Sequence, residues 1–396
     1  MAPRIRVALI GLSASAKVNW AEQGHLPYLQ SERGRSHYEL VGLLNSSVTA
    51  AETARKHFNL PSTVRAYGRP EDLAADKDVD LVVCNTRVDT HVPTTAPSLA
   101  AGKAVFIEWP LAENYEAAVA LTGGRRVDRS IIGLQGRVSP IALKLKEVLK
   151  SGRIGRVLSS DVRTFANLGR RDSVAEAVAY FADRKVGGNH ITIAYAHTVD
   201  YVHDVLGEFD GFQSRMQLQR PVLKLRDQDG VTTQREMRSD VPDLLAVHGR
   251  LAKGKAGVEM AEDATLSFTF RSGQQFKGTP GFVWTINGEK GEIMVTANGA
   301  YMHSDSYKDP VEIKVHDHAS DEVVAIDWAW QDWQKELPRR ARVVAELYER
   351  FAHWWENGKP EGDVPDEREW PRLHDAVVRM DEFRELFRQY DVQGDA

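Results

Sequence analysis

The sequence predicts an α/β protein: a doubly wound parallel sheet in the N-terminal part, then an α+β domain with a large open, mostly antiparallel sheet. Up to residue 136, short strands that are apolar on both faces alternate with helical patterns, as a parallel sheet covered by helices requires. Beyond residue 137, apolar and polar residues alternate over longer stretches, which is typical of antiparallel strands with one solvated face. The 396 residues suffice for two domains, which we place at 1–136 and 137–396.

The first domain contains five predicted strands, separated by helical stretches such as Thr49–Phe58 and Thr94–Ala101. The strands are Arg6–Gly11, Tyr38–Leu44, Val79–Cys84, Ala104–Ile107 and Ser130–Leu134. Gly102 directly follows the second of these helices and is a typical stop signal. Alternation of strand and helix predicts right-handed crossovers, and such sheets bind ligands at the carboxyl ends of their strands.

The second domain begins with a predicted helix, Pro140–Ser151, and continues with strands that alternate in polarity. These strands are Val157–Phe165, Gly211–Leu218, Ala264–Arg271 and Phe282–Ala297, and the last is divided by a hairpin turn at Gly288–Gly291. Two amphipathic helices, Ala341–Glu356 and Trp370–Tyr390, close the chain.

The composition excludes several classes of protein. With 51 Lys and Arg against 56 Asp and Glu, the net charge is −5, and a protein that binds nucleic acid directly would need a basic surplus. The single cysteine, Cys84, allows no intramolecular disulfide and is consistent with a reducing compartment. No apolar run approaches the roughly 18 residues of a membrane helix, and Val7–Leu12 is too short for a secretion signal. We therefore expect a cytoplasmic protein that binds neither membrane nor nucleic acid.

The loop after the first strand is the first candidate binding segment. A dinucleotide fingerprint reads G-x-G-x-x-G, and only Gly11 is retained here, with Ser13 and Ala16 at the other two positions. Small side chains, including Ala14 and Ser15, still let the backbone approach a pyrophosphate at a helix N-terminus. An ordinary strand-to-helix turn would explain the same residues.

The end of the second strand bears on the choice of cofactor. An Asp or Glu at this point would bind the ribose hydroxyls of NAD, but the sequence continues with Asn45, Ser46 and Ser47. Without a carboxylate to repel a 2′-phosphate, the site leans slightly toward NADP. NAD stays open, because no arginine follows directly.

Further motifs follow the later strands and occur along most of the chain. They are Asn85–His91, Gly102–Pro110, Leu134–Pro140, Gly152–Gly155, Gly187–Gly188, His197–Asp200 and Ile286–Gly291. With them the chain resembles the Gfo/Idh/MocA family of nicotinamide-dependent oxidoreductases, which pairs a Rossmann domain with an open-sheet domain. Within that family it looks most like a fungal subgroup that includes the galactose-regulon repressor of yeasts. The resemblance implies a small-molecule substrate and cofactor contacts at Thr86, Arg87, His91, Glu108, Trp109 and Gln135.

Two departures from the family pattern affect the expected chemistry. The family's E-K-P lysine corresponds to Trp109, and its aspartate four residues before the helix histidine corresponds to Ile193. Of the usual proton-handling groups only His197 remains. An indole cannot exchange a proton at neutral pH, but its flat face can contact a substrate or the nicotinamide. A packing role for Trp109 is the alternative.

The candidate catalytic residues lie on one predicted helix. His190, His197 and Tyr201 share a face at helical spacing, so His197 is the candidate general acid or base and the other two could assist it. A buried, hydrogen-bonded histidine with a structural role is the alternative. Arg137 is a candidate substrate ligand together with Trp109 and His197, or else forms a salt bridge. No third ligand stands at zinc spacing, so we predict no metal site.

Seven of the nine tryptophans lie beyond residue 280, and the segment Asp327–Trp333 is a candidate interface or lid. Because members of the resembled family associate through the second-domain sheet, we expect a homodimer or a higher homo-oligomer.

Two functions are consistent with these residues. The first is an NAD(P)-dependent oxidoreductase acting on a hydroxyl or carbonyl of a sugar-like or small cyclic substrate. The alternative is a non-catalytic dinucleotide-binding transcriptional regulator or metabolite sensor that acts through a protein partner. Trp109 and Ile193 favour the regulator, whereas the chemistry of the family at large favours the enzyme.

Overall fold

The computed structural model describes residues 3–16, 18–123, 127–166, 171–252, 257–304, 307, 310–360 and 368–394. The chain divides into two compact units. The first unit comprises Met1–Gln135 and Gln331–Asp381, and the second comprises Gly136–Trp330 and Glu382–Ala396.

The strands of the described chain are β1 Ile5–Ile10, β2 Tyr38–Leu44, β3 Arg65–Tyr67, β4 Leu81–Cys84, β5 Ala104–Ile107, β6 Ser130–Ile132, β7 Val157–Ala166, β8 Ser173–Ala175, β9 Phe209–Gln217, β10 Val222–Arg226, β11 Thr232–Arg238, β12 Leu244–Leu251, β13 Met260–Ser272, β14 Phe282–Gly288, β15 Gly291–Ala297, β16 Glu312–Asp317 and β17 Glu322–Ala325.

The α-helices are α1 Leu26–Gln30, α2 Glu32–His37, α3 Val48–His57, α4 Pro70–Ala75, α5 His91–Ala100, α6 Tyr115–Thr122, α7 Pro140–Lys150, α8 Ala196–Leu206, α9 Asp332–Lys335, α10 Arg339–Glu356 and α11 Leu373–Gly394. Two π-helical segments, Ala21–His25 and His190–Tyr195, run directly into α1 and α8. No helix in the described ranges is long and apolar enough to cross a membrane.

The sheet of the first unit has the order β3-β2-β1-β4-β5-β6, and every neighbouring pair is parallel. This confirms the predicted doubly wound sheet, and β2 and β5 have the predicted bounds. The prediction missed β3, which has only three residues, begins with an arginine and pairs with β2 alone. The strand order changes direction between β1 and β4, so the carboxyl ends of these two strands form the position where such folds bind ligands.

Helix α10 belongs to the first unit, which differs from the predicted boundary that gave every residue after 136 to the second domain. Its Tyr348 stacks on Tyr28 with ring centroids 5.4 Å apart and also contacts the rings of Tyr38 and Phe106 at 5.2 Å. The aromatic face of α10 therefore completes the core of the first unit, an arrangement that contiguous sequence patterns do not predict.

The large sheet of the second unit has the order β17-β16-β15-β14-β7-β13-β12-β9 and is antiparallel except between β7 and β13. Alternate residues of β14, namely Phe282, Trp284 and Ile286, are buried, so one face of the sheet carries the core. The predicted open sheet and its β14–β15 hairpin are confirmed. A small sheet of order β11-β10-β8 was not predicted.

Candidate functional site

The loop after β1 is shaped by Gly11, in the first unit. Gly11 has φ +91°, and a Cβ there would lie 2.9 Å from Thr86 Cγ2 and 3.1 Å from the Asn85 carbonyl oxygen. Both the left-handed backbone and the close approach of the β4 loop therefore require glycine. The following residues Ala14 and Ser15 are exposed, while Ser13 Oγ accepts a hydrogen bond from the Ser15 amide at 3.3 Å. The first helical turn starts only at Ala21, farther along the chain than the fingerprint predicts.

Two amide side chains that follow strands have buried polar atoms without protein partners. The Asn85 Nδ2 and Oδ1 atoms, just after β4, and the Gln135 Oε1 atom have no hydrogen-bond partner among the described residues. Buried polar groups are nearly always hydrogen-bonded, so these atoms suit a polar ligand. Asn85 stands directly against Gly11 and was not among the predicted site residues, although the motif that contains it was recognised. Gly11 and these amides fit the polar, backbone-contacting requirements of a dinucleotide.

The polar residues after β2 form different contacts. Asn45 Nδ2 donates to the Leu12 carbonyl at 2.9 Å and so holds the β1 loop. Ser46 and Ser47 are both exposed, but Ser47 Oγ accepts from the Ala50 amide at 3.1 Å and is the N-cap of α3. Ser46 is therefore the better placed of the two serines to contact a ligand.

The segment after β4 is rigidly tied to the segment after β5. His91 is 1% exposed, and its ring nitrogens lie 2.8 Å from the Pro110 carbonyl oxygen and 2.9 Å from that of Thr86. Burial lowers the pKa of His91, so the ring is held neutral and donates to one carbonyl. The predicted cofactor ligand His91 is thus a positioning residue for two loops. Arg87 forms a bidentate ion pair with Asp89 at 2.6 and 2.7 Å and is half exposed.

Glu108 is part of a buried polar chain. Its Oε1 lies 2.9 Å from His25 Nε2, and His25 Nδ1 lies 2.8 Å from the hydroxyl of Tyr348. A Cβ on Gly133 would stand 2.5 Å from Glu108 Oε2, so glycine is needed beside the carboxylate. The adjacent Trp109 is 5% exposed, which leaves little of the indole surface to contact a ligand. Sequence reasoning missed His25 and Tyr348, since they come from segments more than 300 residues apart.

Of the three predicted catalytic residues in the second unit, His197 and Tyr201 lie four residues apart on α8, and His190 lies in the π-helical segment before it. His190 Nε2 lies 2.6 Å from the Pro242 carbonyl oxygen and borders a cavity together with Ile193. Tyr201 is fully buried and packs against Phe282 and Trp284, and burial raises its pKa well above the usual range. The expected single face assumes an unbroken α-helix. The π-helical segment His190–Tyr195 changes the register, because its hydrogen bonds run from i to i+5.

His197 instead forms a pair with a residue that the sequence did not indicate. Its ring stacks on that of His303 with centroids 3.8 Å apart and planes inclined by 16°, and both residues are buried. The loop that carries His303 is tied to the helix through Thr198 Oγ1, which lies 3.2 Å from the Ala300 carbonyl oxygen. The stacking places two imidazole rings, each of a type that can exchange a proton near neutral pH, side by side.

Arg137 forms a buried salt bridge within the second unit. Its Nε and Nη2 donate to the two carboxylate oxygens of Asp200 at 2.8 and 2.7 Å, and both side chains are buried. The structure therefore shows the salt bridge of the second alternative, and a role of Arg137 in binding substrate stays a prediction. Gly136 makes room for this region, since a Cβ there would lie 2.8 Å from Tyr201 Cδ1.

One group of residues in the described chain has metal-binding side chains in proximity. Ligand atoms of His203, Glu208 and Glu382 lie within 4.8 Å of one another. His203 Nδ1 lies 2.7 Å from the Gly207 carbonyl oxygen, and Tyr195 donates to Glu382 Oε1 at 2.8 Å. His203 Nε2 lies 3.4 Å from Glu382 Oε2, and we assign the group no ion.

The tryptophan-rich segment Asp327–Trp333 is divided between the units. Trp328 and Trp330 contact the ring of Tyr307 in the second unit, with centroids 5.6 and 4.7 Å away. Trp333 belongs to the first unit, where the guanidinium of Arg33 lies 4.7 Å from its ring centroid. The role of this segment as an interface or lid stays a prediction.

Comparisons with known proteins place this chain in a family. Residues 5–123 match the model of the oxidoreductase family with an NAD-binding Rossmann fold, and residues 140–297 match the Gal80p C-terminal domain. The dehydrogenase aclE of Aspergillus oryzae is 31% identical over 306 residues, which are 77% of this chain and 80% of that protein. The chain belongs to the Gfo/Idh/MocA oxidoreductase family. Membership supports a nicotinamide dinucleotide as the cofactor.

Regulators within the Gfo/Idh/MocA family are also similar to this chain. The galactose/lactose metabolism regulatory protein GAL80 of Kluyveromyces lactis is 24% identical over 309 residues, or 75% of this chain and 65% of that protein. A crystal structure of a super-repressor mutant of Gal80p from Saccharomyces cerevisiae superposes with a TM-score of 0.83 at 20% identity, covering 99% of this chain and 97% of that one. This structural similarity confirms the predicted fold of this chain, a Rossmann-like sheet followed by a large, mostly antiparallel sheet.

Proposed function

We propose that this protein is an NAD(P)-dependent oxidoreductase that acts on a hydroxyl or carbonyl of a sugar-like or small cyclic substrate. The observation that carries the proposal is the buried, stacked pair of His197 and His303, which keeps a proton-exchanging group where the family places one. The 31% identity to a dehydrogenase supports catalysis as well.

The first unit would hold the dinucleotide. The backbone at Gly11 gives it close access, and the unpartnered amide groups of Asn85 and Gln135 would hydrogen-bond it. Thr86 and Glu108, which end neighbouring strands, are further candidate contacts. When bound, the nicotinamide supplies the hydride acceptor or donor.

The preference for NADP is a finer proposal, and it rests on Ser46. We expect Ser46→Ala to weaken NADPH binding and leave NADH binding unchanged, because only NADPH has a 2′-phosphate. The matched control is Ser47→Ala, which removes the cap of α3 and should lower stability without changing the ratio of the two affinities. Fluorescence titration with both cofactors measures the ratio. An unchanged ratio in Ser46→Ala would contradict the assignment of Ser46.

The second unit would handle the proton. In alcohol oxidation, the imidazole of His197 accepts the hydroxyl proton, and in reduction it returns that proton to the carbonyl oxygen. The ring of His303, stacked on that of His197, would position this base.

Turnover of polyols and ketones, followed through the absorbance of the reduced nicotinamide, tests this function. His197→Ala should lower kcat by about 100- to 10,000-fold, the usual effect of removing a general acid or base. The control is His248→Ala in the same unit. His248 is an exposed residue of β12, and its Nδ1 lies 2.9 Å from Ser267 Oγ. Wild-type activity in His197→Ala would rule out the assigned mechanism.

A regulator that binds dinucleotide without turnover is the second candidate. Trp109 and Ile193 replace two proton-handling groups of the family, and GAL80 relatives are named as regulatory proteins. This function predicts cofactor binding, no turnover, and a protein partner whose capture depends on the cofactor. Capture from the source cell with and without dinucleotide tests it, and recovery of no partner in either state would count against a regulator.

We further propose that the protein forms a homodimer or a higher homo-oligomer, as expected from the family. Light scattering of the full chain after size exclusion gives the mass directly, and a mass of 44.3 kDa would show a monomer.

A further inference from the structure

The second unit contains a cavity of about 420 Å³. Residues of β8, β10 and the π-helical segment before α8 form its walls. This volume lies within the range of about 300 to 1,000 Å³ that is usual for small-molecule sites. The cavity is therefore large enough for a compact ligand.

Most of the cavity wall is apolar. The apolar lining includes Val174, Val178, Phe181, Ile193, Leu223 and Val241. Ile193 occupies the position at which the family pattern has an aspartate, so this wall lacks the carboxylate expected there. Such a lining favours a ligand with a hydrocarbon body, since a strongly hydrated polyol would lose its water without replacement.

The described residues that line the cavity include more basic than acidic side chains. Arg171, Arg220 and Arg226 border the cavity, and Asp243 is the acidic residue among the described lining residues. Arg220 Nη1 is 3.4 Å from Asp243 Oδ2, while Arg171 Nη2 donates to backbone carbonyl oxygens of Gln274 and Gln275 at 3.1 and 3.3 Å. The cavity thus has more positive than negative charge on its wall.

A fourth guanidinium, that of Arg271, lies outside the cavity lining but interacts electrostatically with Arg171 and Arg220. It donates to the backbone carbonyl oxygens of Ser272 and Gln274 at 3.3 and 2.9 Å. Burial lowers the pKa of Arg271, and the positive charges of Arg171 and Arg220 lower it further, against the opposing effect of Asp243. An anion bound here would relieve this repulsion.

Ser173 gives an independent indication of a ligand. This residue lines the cavity and is 4% exposed, and its hydroxyl oxygen has no hydrogen-bond partner among the residues that the structure describes. Buried hydroxyls are almost always paired. An oxygen of a bound molecule would supply the missing partner.

We propose that this cavity binds a small carboxylate with an apolar body, its carboxylate near the arginines and Ser173 and its hydrocarbon part against the apolar wall. Guanidinium groups bind planar carboxylates in preference to neutral groups of the same shape. The inference goes beyond the proposed hydride transfer, because it rests on Ser173 and the arginines of the cavity, which have no role in that transfer, and its test needs neither dinucleotide nor turnover.

Calorimetric titration of the full chain with 4-phenylbutyrate and its neutral isostere 4-phenylbutyramide tests the proposal. We expect the acid to bind at least tenfold more tightly than the amide. Arg171→Gln should weaken binding of the acid about five- to tenfold, and Ser173→Ala about threefold, with little change for the amide.

The matched control is Arg153→Gln, an exposed arginine of the same unit outside the cavity lining, which should leave the affinity unchanged. Arg171 is also exposed, so its replacement should not prevent folding, and thermal unfolding of each variant checks this. Equal binding of acid and amide, no binding of the acid, or an unchanged affinity in Arg171→Gln would each overturn the proposal. Loss of turnover alone would not, which separates this inference from the proposed enzyme.

Discussion

The two units form their candidate sites in different ways. In the first unit the backbone at Gly11 and unpartnered amides at strand ends create the site, and Gly11 and Asn85 lie at adjacent strand ends of one sheet. In the second unit the candidate groups are side chains paired across long stretches of chain, such as Arg137 with Asp200 and His197 with His303. A site made by strand order follows from local sequence, whereas a site made by side-chain pairs depends on packing that no short motif encodes.

The largest expected effect comes from breaking the buried ion pair of the second unit. Asp200→Asn leaves the Arg137 guanidinium buried against a neutral amide and should lower the free energy of unfolding by about 3–5 kcal/mol. Urea unfolding of the full chain measures the change. The dinucleotide affinity of the folded variant should stay at the wild-type value, because its proposed contacts are in the first unit.

Two further variants show whether burial is responsible for this effect. The exposed pair of Arg250 and Asp210 is the matched control, and Asp210→Asn should cost less than about 1 kcal/mol. Replacing both buried partners, as in Arg137→Met with Asp200→Leu, should recover much of the loss. A loss below about 1 kcal/mol in Asp200→Asn would mean that the pair does not stabilise the second unit.

In the first unit, we expect the substitution of Gly11 to have a smaller effect on stability and a large effect on dinucleotide binding. Gly11→Ala forces a Cβ into φ +91° and to within 2.9 Å of Thr86 Cγ2, so it should cost about 1–3 kcal/mol and sharply weaken dinucleotide binding. Gly102→Ala is the matched control, because Gly102 has φ +77° but no atom within 4 Å of the added Cβ. It should show the backbone cost with normal affinity. Equal dinucleotide affinities in the two variants would contradict the role of Gly11.

The contrast between sites at strand ends and sites made by side-chain pairs also explains which parts of the structure the sequence could predict. Strands β2 and β5 were predicted to the residue, because β5 and the last three residues of β2 are buried on both faces and appear as apolar runs. The edge strand β3 was missed, since its three residues carry no such pattern. The motif containing Asn85 was recognised, because a strand end has a local signature.

The side-chain pairs could not be predicted in the same way. His25, Tyr348 and His303 meet their partners only through tertiary packing, and nothing in their local sequence distinguishes them from surface residues. The π-helical segment His190–Tyr195 likewise has no compositional signal, so the regular helical spacing assumed between His190 and His197 does not hold. The motif residues were found, but the partners that define their roles were not.

The pH dependence of stability gives the smallest and most graded test of the comparison. Burial lowers the pKa of His91 in the first unit and of His190 in the second, so below about pH 6.5 the unfolded chain binds protons that the folded chain does not. Above about pH 6.5 the free energy of unfolding should therefore keep the whole contribution of the two neutral histidines. It should fall as the pH drops, by at most about 1.4 kcal/mol per pH unit for each histidine. His91→Asn and His190→Asn should each flatten this slope, and the double variant should show the sum, because the residues lie in separate units. Urea unfolding between about pH 5 and pH 8 measures the slopes. A wild-type slope in His91→Asn would show that another group controls the acid sensitivity of the first unit.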